Sequence, residues 1–352
     1  MSKALSSAQQ LELLRNSPQD QDSATAALAE ALSSEDETQR VEAARSLINE
    51  LQVPTSPARW SALHLLQSAW WPVTPSLLPE VMKATVTYLQ TAVLRGPEAE
   101  AATMLWAHLL RDSPRASATL TSLLEHVSPT VRAAAAATAA RLGEVALGAV
   151  PLLIAQSRSE PPEVAMEAAS ALAALAGRSG QSVGPALLQL VTTYTDGRRF
   201  YGLTGLRAMA GPDGAGLTEV RDLKPALLEA VKSESAAIRA EAVLLLGLLP
   251  ASESGVKDAL EARLADPASV VRVQAAVSLL RRGQLSSERA VEVLRGPLFG
   301  EGEQTAQATI VSLSALSPEV LASLKGPLEA AGAKAPPPVR AGVLQLFQPR
   351  EA

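Results

Sequence analysis

A short pattern that returns along the chain constrains its fold more than any other property. In the segment DPASVVRVQAAVSLLRRG, Asp266-Pro267 precede Val271-Arg272, then Ala275-Ala276, Leu279-Leu280 and Gly283. The same frame returns as Val131-Arg132 with Ala135-Ala136, Val164-Ala165 with Ala168-Ala169, Ile238-Arg239 with Ala242-Val243, and Val339-Arg340 with Val343-Leu344. These frames lie 33, 74, 33 and 68 residues apart. A degenerate copy falls in each long gap, at Phe200 and near Ala306, so the period is about 33 to 38 residues. Further copies stand at Gln39-Arg40 with Ala43-Ala44 and at Ala58-Arg59 with Ala62-Leu63. One such unit cannot bury its apolar face alone, so the chain must stack several of them.

Each unit reads as two helices. Stretches such as KPALLEAVK (224–232) and KDALEARL (257–264) carry apolar residues at helical spacing, and a Ser, Asp or Pro break leads into the Val-Arg helix. At those breaks a hydroxyl or carboxylate can accept free amides of the next helix, and proline suits its first turn. Composition agrees. Hydrophobic residues make up 47% of the 352 residues but aromatics only 3%, so the apolar content is mostly Ala, Leu and Val, which favours helix-on-helix packing over a β-sandwich.

The Asp-Pro, Val-Arg, Ala-Ala, Leu spacing resembles HEAT repeats, in particular the bacterial HEAT-like repeats related to those of phycobilin lyases. The resemblance covers residues 113–352 well and 21–112 more patchily. It implies an all-α fold, a right-handed α-solenoid of about nine or ten HEAT-like helix pairs, and it implies no chemistry, because the motif residues specify packing. Two segments are expected: residues 1–112 with degenerate repeats, continuous with regular repeats over 113–352. Within the first, helices are expected over 57–68, 75–94 and 98–110, the second unusually long. GPDGAGLTEVRDL (211–223), with three glycines and a proline, reads as an extended loop between repeats and a candidate hinge.

Several chemistries lack residues to perform them. There is no cysteine, hence no disulfide, thiolate metal site or thiol nucleophile. His64, His108 and His126 are followed by Leu65, Leu109 and Val127, without the His-Glu pairs of the iron-binding HEAT-repeat hydroxylases or a His-Glu-x-x-His motif. No phosphate-binding Gly-rich loop is present, and Gly177-Arg178-Ser179-Gly180 is incomplete as a nucleophile elbow. The expectation is a protein without catalytic residues, metal or cofactor. A net charge of −5 has the wrong sign for a general nucleic-acid or anionic-membrane binder, and residues 1–112 carry the whole excess, with 8 basic and 13 acidic residues. The polar first 20 residues lack the apolar run of a secretory signal, which points to a cytoplasmic protein with no membrane insertion.

Two clusters are candidates for partner contact. All four tryptophans fall between residues 60 and 106: Trp60 one helical turn before His64, the adjacent Trp70 and Trp71 before Pro72, and Trp106. Adjacent tryptophans cannot both face one interior, since successive helical residues are about 100° apart, and Trp71 is the better candidate for exposure. Large residues also fill gaps where Ala packing fails. The second cluster is Arg198, Arg199 and Tyr201, with Phe200 at a core position. The recurrent Arg40, Arg59, Arg132, Arg239, Arg272 and Arg340 could form a phosphate-binding stripe, but a structural ladder between repeats accounts for them better. The resulting expectation is a noncatalytic scaffold or adaptor for a protein partner. The alternatives are a lyase-like or enzyme-associated chaperone, and a HEAT-like DNA-binding or repair protein.

Overall fold

The computed structural model describes residues 5–68, 76–92, 96–158, 161–179, 183–211, 213–218, 220–333 and 335–348. Among them there are helices and turns and no strand. The chain forms two compact units, Met1–Arg178 and Ser179–Ala352. The change from degenerate to regular repeats expected at residue 112 falls inside the first unit.

Unit one holds α1 (Ser7–Asn16), α2 (Gln21–Leu32), α3 (Glu37–Leu51), α4 (Arg59–Ser68), α5 (Leu78–Leu89), α6 (Pro97–Leu110), α7 (Ala116–Leu124), α8 (Pro129–Leu142), α9 (Val150–Gln156) and α10 (Pro162–Ser179), which ends at the boundary. Unit two holds α11 (Gly184–Thr193), α12 (Gly197–Ala210), α13 (Leu223–Ala230), α14 (Ala236–Leu248), α15 (Val256–Arg263), α16 (Ser269–Arg281), α17 (Ser287–Phe299), α18 (Glu303–Leu313), α19 (Pro318–Ala331) and α20 (Pro337–Gln345).

Helices pack on their sequence neighbours and on the helix after next, which sorts them into two rows. In unit one α1, α3 and α5 make one row and α2, α4, α6 and α8 the other. In unit two α12, α14, α16, α18 and α20 form a continuous row, with α11 on α13 and α17 on α19 opposite. Each unit is therefore a solenoid of helix pairs, and the twenty α-helices among the described residues amount to ten pairs. Small residues set the approach within a row. Ala242 of α14 and Ala275 and Ala276 of α16 are buried, and at Gly247 a methyl group would lie 2.3 Å from the Ser278 hydroxyl oxygen. Leucines fill the space between rows; fully burying one contributes about 1.5 to 3 kcal/mol. In the last repeats of unit two, Leu280, Leu294, Leu313, Leu324 and Leu328 share one such core.

The recurrent arginine has a local task that spacing alone does not reveal. Its Nη1 donates to two carbonyls of the turn just behind it, five and six residues back. Arg132 binds His126 O (2.8 Å) and Val127 O (2.9 Å), Arg239 binds Ser233 O and Glu234 O, and Arg272 binds Asp266 O and Pro267 O. Arg40 does the same with Ser34 O and Glu35 O. The guanidinium fork thereby satisfies carbonyls left over where the preceding helix ends. Arg59 and Arg199 use Nε on the carbonyl eight residues back, Leu51 O at 3.0 Å and Val191 O at 2.8 Å. Bridging between repeats also occurs, from Arg239 to Asp266 and from Arg272 to Glu301.

Three expectations are corrected. Arg40 and Arg59 sit on α3 and α4, in opposite rows, so they are not two copies of the same helix. The long helix expected over 75–94 is the twelve-residue α5. The 211–223 insertion is packed and is no slack hinge: Leu217 is buried in a 3-10 turn, Gly214 adopts φ +79°, and a methyl at Gly214 or Gly216 would meet backbone oxygen of Leu248 or Met209 at 2.3 and 1.8 Å.

The helical run Pro129–Gln156 has the length and hydropathy to cross a membrane. Gly143, at φ +60°, ends α8 inside it, and a 3-10 stretch separates α8 from α9. The alanines 133 to 136 of α8 are buried, and α8 packs on α6.

Candidate functional site

The first turn of α4 is held from beneath. Arg59 is buried; besides the Leu51 carbonyl it donates to Thr91 Oγ1 at 3.2 Å, and its guanidinium lies 4.4 Å from the centre of the Tyr88 ring. Burial also pushes the Tyr88 phenol above its ordinary pKa, with Glu98 adding to the rise and Arg59 opposing it. Ala62, Leu63, Leu65 and Leu66 form the buried face of α4. The opposite face carries Trp60, His64 and Gln67 at successive turns. Trp60 is 41% exposed, and its ring stacks on His64 with centroids 6.0 Å apart and planes at 24°. That stack orders a large amphipathic side chain in water, at little further entropic cost on binding.

Beside this stripe runs α6, whose outer face shows Met104, 41% exposed, and His108 one turn later. Gln67 and Ser68 of α4, Met104, Ala107 and His108 of α6 with Arg111 at its C-terminal end, and Arg141 of α8 line an open hollow of about 450 Å³. Arg141 reaches Glu100 at 3.9 Å, a loose exposed pair. The segment is acidic overall, yet the hollow itself is walled by two guanidinium groups and an imidazole.

The tryptophan set divides. Trp106 is fully buried and its Nε1 donates to Thr85 Oγ1 at 2.7 Å; that hydroxyl in turn reaches the Val81 and Met82 carbonyls. It fills the interior between α5 and α6, so its expected role in partner contact is corrected. Trp70 and Trp71 lie outside the described residues.

The second cluster is in unit two and is largely engaged internally. Arg198 is buried, makes a two-pronged pair with Asp196 through Nε and Nη2, and stacks 3.6 Å from the centre of the Tyr194 ring. Its hydrogen bonds hold the Asp196 carboxyl below the ordinary aspartate range. Arg199 is tied to Val191 O, and Tyr201, half-buried, meets Phe200 edge-on at 5.9 Å. Arg198 and Arg199 are therefore corrected from contact residues to fasteners of the α11–α12 turn. His126 likewise serves its own turn, its Nδ1 accepting from the Ser128 amide at 3.0 Å. Among the described residues no three His, Asp or Glu side chains gather as metal ligands would.

Sequence reasoning missed Met104, Arg111 and Arg141. A methionine and two arginines are unremarkable by type, and only the alternation of rows brings α4, α6 and α8 side by side.

No known protein family matches the sequence, and no curated protein is significantly similar to it. Among solved structures, the chain is similar to an engineered protein at 18% identity over 97% of this chain and 94% of that one, with a TM-score of 0.49. It is similar to a designed armadillo repeat protein at 16% identity, covering 72% and 97% of the two chains, with a TM-score of 0.39. A third similarity is to the karyopherin Kap121p, solved bound to the extreme C-terminus of the protein phosphatase Cdc14p, at 15% identity and a TM-score of 0.47. That alignment takes in 93% of this chain but spans only 42% of the karyopherin.

Proposed function

We propose that the chain is a noncatalytic repeat scaffold or adaptor that binds a protein partner on the outer face of α4 and α6. The observation that carries this reading is Trp60: a tryptophan held 41% exposed by its stack on His64, on a helix anchored beneath by Arg59. Tryptophan and arginine dominate binding energy at protein interfaces, and methionine adapts to irregular surfaces. Met104 and Arg111 line one hollow, which the end of α4 reaches through Gln67 and Ser68, and Trp60 stands on the same helix at its start. We read the repeats as HEAT-like, of the type found with bacterial phycobilin lyases, and the protein as cytoplasmic.

A DNA-binding reading loses its main support, because the recurrent Arg132, Arg239 and Arg272 already donate to turn carbonyls. The test is site-specific photocrosslinking from position 60 in the native host, followed by binding measurements with the captured protein. Trp60→Ala should weaken that complex at least tenfold with an unchanged melting curve. Equal affinity for wild type and Trp60→Ala rejects this surface.

A further inference from the structure

In unit two, the row of α14, α16 and α18 ends at a second hollow, of about 620 Å³, with apolar walls that include Leu248, Pro250, Leu316 and Pro318. Two consecutive arginines enter it at the end of α16. Arg282 is engaged: its Nη groups donate to the carbonyls of Leu249, Pro250 and Ala251, and its Nε to Gln284. Arg281 is different. It is half-buried and lines the hollow, yet among the described residues it makes no hydrogen bond or ion pair. Burial alone lowers its pKa from the ordinary arginine value, with no carboxylate restoring it. A guanidinium taken partly out of water without a partner is costly, and the cost is recovered when an anion arrives.

The chemistry of the anion follows from the donors on offer. One free fork matches one carboxylate in two-pronged geometry. The carbonyl oxygens bound by Arg282 and the exposed Asp213 at the rim, whose Oδ1 accepts from the Ala215 amide, disfavour a multiply charged phosphate. Glu253, the other nearby carboxylate, is occupied by Lys224 at 2.7 Å. The apolar walls ask for apolar neighbours beside the anion. We infer that this hollow binds an aspartate or glutamate side chain of a peptide segment from a partner protein, flanked by aliphatic residues, with Arg281 as the receptor.

The experiment follows the Arg281 Nε–H signal in the full chain by NMR while blocked peptides are added. Acetyl-Leu-Glu-Leu-amide should shift it saturably, and acetyl-Leu-Gln-Leu-amide should leave it in place. Arg281→Gln should lower affinity for the glutamate peptide at least tenfold, measured on the peptide's own resonances, and Arg281→Lys should lower it too, since a point charge lacks the fork. Neither variant should melt earlier than wild type, because Arg281 supports no internal bond. Equal binding of the Glu and Gln peptides, undiminished binding to Arg281→Gln, tighter binding of inorganic phosphate, or tighter binding of acetyl-Leu-Leu-Leu through its terminal carboxylate would each overturn the assignment. The readout lies wholly in unit two, so its failure leaves the Trp60 surface untouched.

Discussion

Arg239 and Asp266 meet across a repeat boundary with both arms of the guanidinium occupied, Nε on Oδ2 at 2.9 Å and Nη2 on Oδ1 at 2.8 Å, and with the carboxylate wholly buried. The same Asp266 accepts the Ala268 amide at 3.0 Å and so fixes the turn that leads into α16, while Arg239 clamps its own turn. Burial by itself would raise the Asp266 carboxyl; the hydrogen bonds from Arg239 and Ala268 outweigh it and hold the pKa below the ordinary aspartate value.

Breaking that pair should be severe. Arg239→Met leaves the buried carboxylate with only Arg263, 3.5 Å away, and the Ala268 amide, and the expected loss is about 3 kcal/mol, read from urea unfolding at neutral pH. Because the folded pKa is depressed, the unfolded chain binds more protons between the two values. The stabilisation is therefore complete above the ordinary aspartate pKa and is lost as pH falls through the folded one. Wild type should lose stability across that acidic window more steeply than Asp266→Asn. Parallel profiles would show that the carboxylate contributes nothing to acid unfolding.

Glu241 should behave in the opposite sense. Burial raises its pKa and Arg207, 3.4 Å away, only partly offsets this; the nearer carboxylate oxygen finds no hydrogen bond. Stability tied to this group is complete below the ordinary glutamate pKa and declines as pH rises through the folded value. Glu241→Gln is expected to raise the melting temperature above neutral pH, on the order of 1 kcal/mol or about 2 to 4 °C for a unit of this size. A lower melting temperature would mean that the Arg207 pair dominates.

The two described tryptophans should separate cleanly. Trp106→Ala empties a buried site and orphans the Thr85 hydroxyl from its donor, for a loss of about 3 to 5 kcal/mol. Trp60→Ala removes an exposed ring and should change stability by less than about 0.5 kcal/mol. Thermal melts of both variants check this, and a large loss at Trp60 would make it a structural residue.

Gly247 sets the distance between α14 and α16. Gly247→Ala places a methyl 2.3 Å from Ser278 Oγ and 2.5 Å from its Cβ, so overpacking should cost about 1 to 3 kcal/mol. Much of that loss should return in the double variant with Ser278→Gly; no recovery would place the strain elsewhere.

The regular repeats were legible because their code is redundant. Val271-Arg272, Ala275-Ala276 and Leu279-Leu280 each occupy the position in α16 that the same frame occupies in α14, and a buried row demands small and large residues at fixed intervals. The insertion after α12 misled because glycine permits a flexible turn and equally permits tight backbone contact, and only the approach of Leu248 to Gly214 decides which. The candidate site was half legible. Trp60 and His64 share one helix, so spacing pairs them, and Trp106 differs from Trp60 only in which side of its helix finds a neighbour. Met104, Arg111 and Arg141 meet Gln67 and Ser68 through packing between separate helices, a relation no single stretch of chain contains.

The arginine clamp has a consequence for how such a chain comes into being. A guanidinium that grips carbonyls five and six residues behind it closes a very small loop, with a correspondingly small entropic cost. The turn of a repeat can thus set before its neighbour exists, and contacts of such short range favour rapid folding. A chain emerging from the ribosome can hold each clamped turn as it appears and add it to the stack behind. The same independence lets a lineage duplicate or delete one unit while the others keep their turns, which is one route to a molecule whose repeats have drifted to different lengths while four of them, at Arg40, Arg132, Arg239 and Arg272, keep the same grip.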